Sequence, residues 1–295
     1  MADRRQRRKT GEFVRGGKEK KPLRGLSILP SLFTIGNIFC AYYSVMSTLN
    51  GKYDQAALAI GAGYVLDGLD GRVARVTGTS TEFGAQLDSL ADVLTFGIAP
   101  AILAFSWGIE WMSGNPELHN IQLNPYEQHI RSGGWIVTFA FVICGALRLA
   151  RFNVQAQKPV DPAAKRYFVG LPIPAGAGLI ASVVHFAKDP ISSPGSSLLW
   201  CVLIGVTAFL MISTIRYHNF KHLGIFSRRP RVVLVTAALL IGLIFRYSEV
   251  MLLLLAVTYV SSGPLGKLHS MVRKLPIHVT PPENQASMET PRREP

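Results

Sequence analysis

Three cysteines, Cys40, Cys144 and Cys201, are too few and too scattered for a disulfide framework, and none forms a zinc-type spacing with the seven histidines. All three fall inside apolar runs, where a cysteine acts as a small packing residue. No serine or cysteine stands beside a base in the pattern of an activated nucleophile, which favours a single displacement over a covalent enzyme intermediate. No small-residue cleavage site follows the first apolar run, and the polar, basic start of the chain differs from a removable leader, so the first helix is expected to stay. No internal repeat is visible. Acidic residues are also scarce: 18 Asp and Glu stand against 31 Lys and Arg, for a net charge of +13.

What is abundant is apolar sequence. Hydrophobic residues make up 48% of the chain and the mean hydropathy is +0.26. Leu29 to Leu49 is long enough to cross a bilayer at ~20 residues per crossing, and further runs centre near residues 60, 98, 142, 179, 206, 238 and 256. The expected fold is an all-α polytopic bundle of six to eight transmembrane helices. Only Lys52, Arg131, Lys188 and Arg246 fall on the outer side when the N-terminus is cytoplasmic, and that bias fixes the expected orientation in the cell membrane. The basic charge therefore points to anionic headgroups and not to nucleic acid. Residues 1–25 read as a basic arm, residues 26–263 as the membrane domain, and residues 264–295, rich in proline, as a disordered tail. Pro172 and Pro174 are expected to shape the start of a span.

Four aspartates interrupt this greasy chain within 26 residues. Asp67, Asp70, Gly71, Ala74 and Arg75 share one helical face, and Gly84, Asp88 and Asp92 share another. The intervening VTGTSTEF suits a turn, so two antiparallel helices can bring the four carboxylates to one depth. Ionised carboxylates cannot converge there without a counter-charge. Oxygen ligands without His or Cys select hard divalent cations, and four carboxylates suffice for two ions, an arrangement suited to phosphoryl chemistry. Gly71, Ala74 and Gly84 leave room for a ligand or for close helix packing, and Arg75 offers a fork for phosphate.

The whole pattern, Asp67-x2-Asp70-Gly71-x2-Ala74-Arg75-x8-Gly84-x3-Asp88-x3-Asp92, resembles the motif of the CDP-alcohol phosphotransferases, with every fixed position filled. The resemblance implies a helical, usually dimeric membrane enzyme that uses Mg²⁺ or Mn²⁺, two ions, to move a substituted phosphate from a CDP-linked donor to an alcohol, releasing CMP. It makes Asp67, Asp70, Asp88 and Asp92 the metal ligands and Asp92 also the catalytic base. It lays the donor along Asp67, Gly71, Ala74, Arg75 and Gly84.

Three further stretches, LPSLFTIGNIFCAYYSV, GALRLARFNV and YFVGLPIPAGAG, resemble the branch of that family whose donor is CDP-diacylglycerol and whose acceptor is L-serine. Ser31 departs from it, since many relatives carry Asn after the proline. Arg148 and Arg151 can meet a lipid phosphate or the serine carboxylate, or anchor their helix at the headgroups. Asn153 can hydrogen-bond the serine amine or hydroxyl, and Thr34 and Asn37 bond either substrate or a neighbouring helix. The paired His218 and His222 lie in a basic loop without a nearby carboxylate and read as surface residues. Glycerol 3-phosphate or inositol phosphate is the alternative acceptor. A cation transporter is the rival from another class, and it needs acids spread through the membrane depth.

Overall fold

The computed structural model describes residues 28–77, 81–110, 124–156, 167–218 and most of 235–272. The basic arm, the end of the tail, His222 and the side chains of Ala74, Arg75 and His218 lie outside what is described. Among the described residues five helical stretches are long and apolar enough to cross a membrane: Ser31–Leu49, Glu82–Gly108, Pro125–Gln155, Pro194–Ile212 and Ser248–Leu268. The protein is a multi-pass, all but wholly helical membrane protein, as its apolar runs predict.

Helix α1 (Ile28–Leu49) carries no charge and ends where the sequence supplies a glycine. Gly51 adopts φ 70°, Lys52 N–H donates to the Ser47 carbonyl and Gly51 N–H to that of Thr48. This left-handed cap satisfies the last carbonyls and reverses the chain at once into α2 (Tyr53–Thr77). The two helices pack along their length, helped by the buried small residues Ala41, Ala56 and Ala57.

The next rod is composite. Helix α3 (Glu82–Asp92) starts at Thr81, whose hydroxyl accepts the Gly84 N–H at 3.0 Å, so the polar stretch between the two acidic helices is indeed a break. A π-helical segment, Val93–Ile98, follows and leads into α4 (Ala99–Gly108). Pro100 has no N–H to donate into the preceding turn, and the Ala99 N–H reaches back five residues to the Leu94 carbonyl. Helix α4 is buried almost throughout. Its Trp107 meets Trp200 edge to face at 5.1 Å, and the Trp200 Nε1–H donates to the Ala104 carbonyl at 2.9 Å.

Around this central rod stand α5 (Pro125–Ala156), which packs on α7 (Pro194–Ile212), and the short α6 (Ile173–Ala187). Pro172 caps α6 and Pro174 lies in its first turn, where a missing N–H costs nothing. Before α6 and after α7, strands β1 (Tyr167–Val169) and β2 (Arg216–His218) pair antiparallel, with Phe168 opposite Tyr217. Two connections far apart in the sequence are therefore joined.

The last helix, α8 (Ser248–Val272), runs through residue 264, where the sequence places the start of the tail. Pro264 sits inside the helix and cannot bond the carbonyl four residues back, that of Val260. The Tyr217 hydroxyl supplies the missing donor at 3.3 Å, with its ring against Gly263. Burial and the neighbouring Tyr259 push the Tyr217 phenol up to about 12, so it remains a donor at any physiological pH.

Candidate active site

Helix α3 begins at Thr81 and packs on α1 and the π segment, and the helical periods of 3 and 4 let acids of α2 and α3 meet. Carboxylate oxygens of Asp67, Asp88 and Asp92 all lie within 4.8 Å of one another. Asp67 and Asp92 are close enough to share a hydrogen bond, and Asp70 is within electrostatic reach of all three. The Asp70 side chain is 6% exposed and accepts a hydrogen bond from Thr34 of α1. One oxygen of Asp92, Oδ1, is buried with no hydrogen-bond partner.

A buried, unpartnered carboxylate oxygen amid like charges requires a cation or a proton. The donor set is oxygen only, half-buried and open to a ligand, which fits a hard divalent cation. Asp67, Asp88 and Asp92 are the residues that would hold it, with Asp70 beside them.

Helix α5 brings a positive charge. Arg148 is within electrostatic reach of both Asp92 and Tyr259, and its Nε is buried without a partner. Tyr259 of α8 in turn interacts with Tyr64 of α2, whose ring meets Phe96 of the π segment edge to face at 6.3 Å. Sequence reading missed this aromatic wall. Its signal was a tyrosine within an otherwise aliphatic stretch of the last helix, but nothing local ties it to residue 148.

The other expected contacts divide. Asn153 Nδ2 donates to Ser89 Oγ at 2.9 Å, so it braces α5 against the acidic helix. The exposed Arg151 extends to the Ile212 carbonyl at 3.5 Å, at the end of α7, and is not drawn into the acid cluster. Thr34 braces Asp70, as one of its two readings expects. Asn37 is 1% exposed; its carbonyl accepts the Thr95 hydroxyl at 3.1 Å, while both polar atoms of its side chain are buried without a partner. Gly63 lies against this pair, where a Cβ would stand 2.6 Å from Thr95 Cγ2 and 2.8 Å from Asn37 Oδ1. Gly71 is exposed on α2, whereas Gly84 fits tightly under Thr81 Oγ1. Asp67, Asp88 and Asp92 gather in one cluster with Asp70 beside them.

A largely helical membrane bundle that gathers carboxylates from two helices into one cluster has a donor set suited to a hard divalent cation. Residues 27–213 match the family model described as CDP-alcohol phosphatidyltransferase, and the chain belongs to that family. Curated relatives carry one shared name, CDP-diacylglycerol–serine O-phosphatidyltransferase. The Helicobacter pylori protein is 37% identical over 206 residues, covering 68% of this chain and 76% of its own. That of Bacillus subtilis is 32% identical over 196 residues, covering 66% and 93%, and that of Mycobacterium leprae is 34% identical over 220, covering 73% and 65%.

Proposed function

We propose that this protein transfers the phosphatidyl group of CDP-diacylglycerol to the hydroxyl of L-serine, forming phosphatidylserine and CMP at the cytoplasmic face of the membrane. The family membership and the shared name of the relatives support the donor and the acceptor. The observation that carries the chemistry is the convergence of Asp67, Asp88 and Asp92, with a buried free oxygen on Asp92 and Arg148 alongside.

A divalent cation held by the aspartates, Mg²⁺ or Mn²⁺ and with room in the ligand count for two, would neutralise charge on the pyrophosphate and on the departing CMP. The protein's own groups do the rest. Asp92 accepts the proton of the serine hydroxyl as that oxygen attacks the lipid-linked phosphorus. The new P–O bond forms in line with the bond to CMP that breaks, and CMP leaves with the electron pair. Arg148, deep beside Asp92, pairs with the serine carboxylate and holds the hydroxyl toward the base. Thr34 and the Asn153–Ser89 pair keep the acidic helices in register. Gly71, Ala74, Arg75 and Gly84 lie along the cytidine diphosphate.

An acceptor panel tests the reading. Purified protein given CDP-diacylglycerol and Mg²⁺ or Mn²⁺ releases CMP with L-serine; release with glycerol 3-phosphate or inositol phosphate but not serine overturns the assignment. The expected homodimer is read from the mass of the detergent-extracted protein.

A further inference from the structure

Between α2 and α8, floored by α6 and Phe96, lies an apolar cleft of about 520 Å³. It follows α6 from Pro174 to His185, which at ~1.5 Å per residue is about 16 Å, close to half of a ~30 Å hydrocarbon core. Its sides are aliphatic and aromatic, with Leu252 and Leu255 on α8 and Tyr64 on α2. At one end Tyr64 and Tyr259 connect it to Arg148 and so to the acid cluster. A lipid whose phosphate sat at the aspartates would have this cleft within reach of one of its chains.

At the His185 end stands a polar knot. His185, 6% exposed, places Nδ1 at 2.5 Å from Asp54 Oδ1 of α2 and Nε2 at 3.0 Å from Ser248 Oγ of α8. Next to it Lys188 Nζ meets Glu249 Oε1 at 2.5 Å, again linking α6 to α8. A methyl terminus that pushed into this knot would have to part His185 from partners that nothing apolar replaces. The active-site chemistry has no use for this cluster, which stands at the far end of the bundle.

We propose that the cleft takes one acyl chain of the CDP-diacylglycerol donor and that the Asp54–His185–Ser248 knot is the stop that sets the longest chain accepted. The inference rests on the proposed lipid donor and adds a chain-length specificity to it. Two positions allow the cleft to be altered in opposite senses. Gly178 lines it, and a Cβ there meets open space, so Gly178→Leu can extend a side chain into the channel. His185→Ala removes the stop.

The test is serine-dependent CMP release by the full-length protein in mixed micelles, with donors graded two methylenes at a time. In the unaltered protein kcat/KM peaks at the chain length that fills the cleft and falls once the chain outgrows it, with small gains per methylene before that because the chain passes from one apolar phase to another. Gly178→Leu moves the optimum to shorter donors by two or more methylenes, and His185→Ala moves it to longer ones. Overlapping length profiles for all three proteins overturn the inference, as does a shift with Gly178→Leu alone, which leaves a chain site without a stop. A co-purifying resident lipid with an unaltered length profile also overturns it. Absence of CMP release with every donor instead fells the serine-transfer reading itself.

Discussion

Asn153 on α5 donates a hydrogen bond to Ser89 on α3 across 2.9 Å, one residue from Asp88. Asn153 therefore acts on the reaction through the acidic helix. Removing a neutral hydrogen bond of this kind costs ~1 kcal/mol, about fivefold. Asn153→Ala and Ser89→Ala should each lower kcat by that order, and the double variant should lose no more than either one. If Asn153 instead bound serine, Asn153→Ala alone would raise KM for serine while Ser89→Ala left it untouched.

Asp92→Asn keeps the shape of the side chain and removes the base. CMP release should fall by a factor on the order of 10³ or more, within the range of general-base catalysis combined with lost electrostatic stabilisation. Circular dichroism should remain that of the parent. Activity near the parental level would remove Asp92 from the mechanism.

Chelation provides a separate check on Asp67, Asp88 and Asp92. EDTA should abolish CMP release, and Mg²⁺ or Mn²⁺ should restore it. Direct Mn²⁺ binding, followed by its paramagnetic resonance, should weaken in Asp67→Asn and Asp88→Asn; undiminished binding in both would relocate the metal site.

How far the site could be read from the chain varies with the distance between partners. Asp67, Asp88 and Asp92 repeat at helical intervals, and the Thr81 cap that begins the second helix is itself a local signal, so the gathering of these three was legible, whereas the turn of Asp70 toward Thr34 was not. The identity of the cap partner at Gly84 was equally local. Arg151 and Asn153 were recognisable as polar residues near a helix end, but their partners, Ile212 and Ser89, lie 61 and 64 residues away and only packing selects them. The helical course through Pro264 was hidden for the same reason. A proline with a polar sequence after it reads as a stop until a tyrosine 43 residues before Val260 is seen to satisfy the orphaned carbonyl.

That rescue can be measured. Tyr217→Phe leaves the Val260 carbonyl without its donor and should destabilise by ~1–3 kcal/mol, read as a lowered unfolding midpoint in detergent. Gly263→Ala should do the same by driving a methyl into the Tyr217 ring. No change in midpoint for either would mean that α8 holds its course through Pro264 without β2.

Gly63 offers a contrast within the membrane helices. Gly63→Ala places its methyl against Thr95 and Asn37, beneath the aspartates, and should cost ~1–3 kcal/mol by overpacking together with a loss of CMP release. Gly133→Ala on α5 meets open space and should be tolerated. Equal midpoints for the two variants would argue against the close approach of α1, α2 and the π segment.

The π segment between Asp92 and Ala99 has a geometric consequence for how this chain can change. A residue added to a helical turn shifts the phase of everything before it by about 100° relative to everything after it. Val93–Ile98 is thus a phase converter: it lets one continuous rod present Asp88 and Asp92 to the site at one end and Leu103 and Trp107 to the core at the other. Deleting one of its apolar residues would leave a good helix with no polar side chain lost, yet it would turn the acids away from Asp67. Substitutions along this rod are local events, whereas a one-residue change in its length acts on both ends at once.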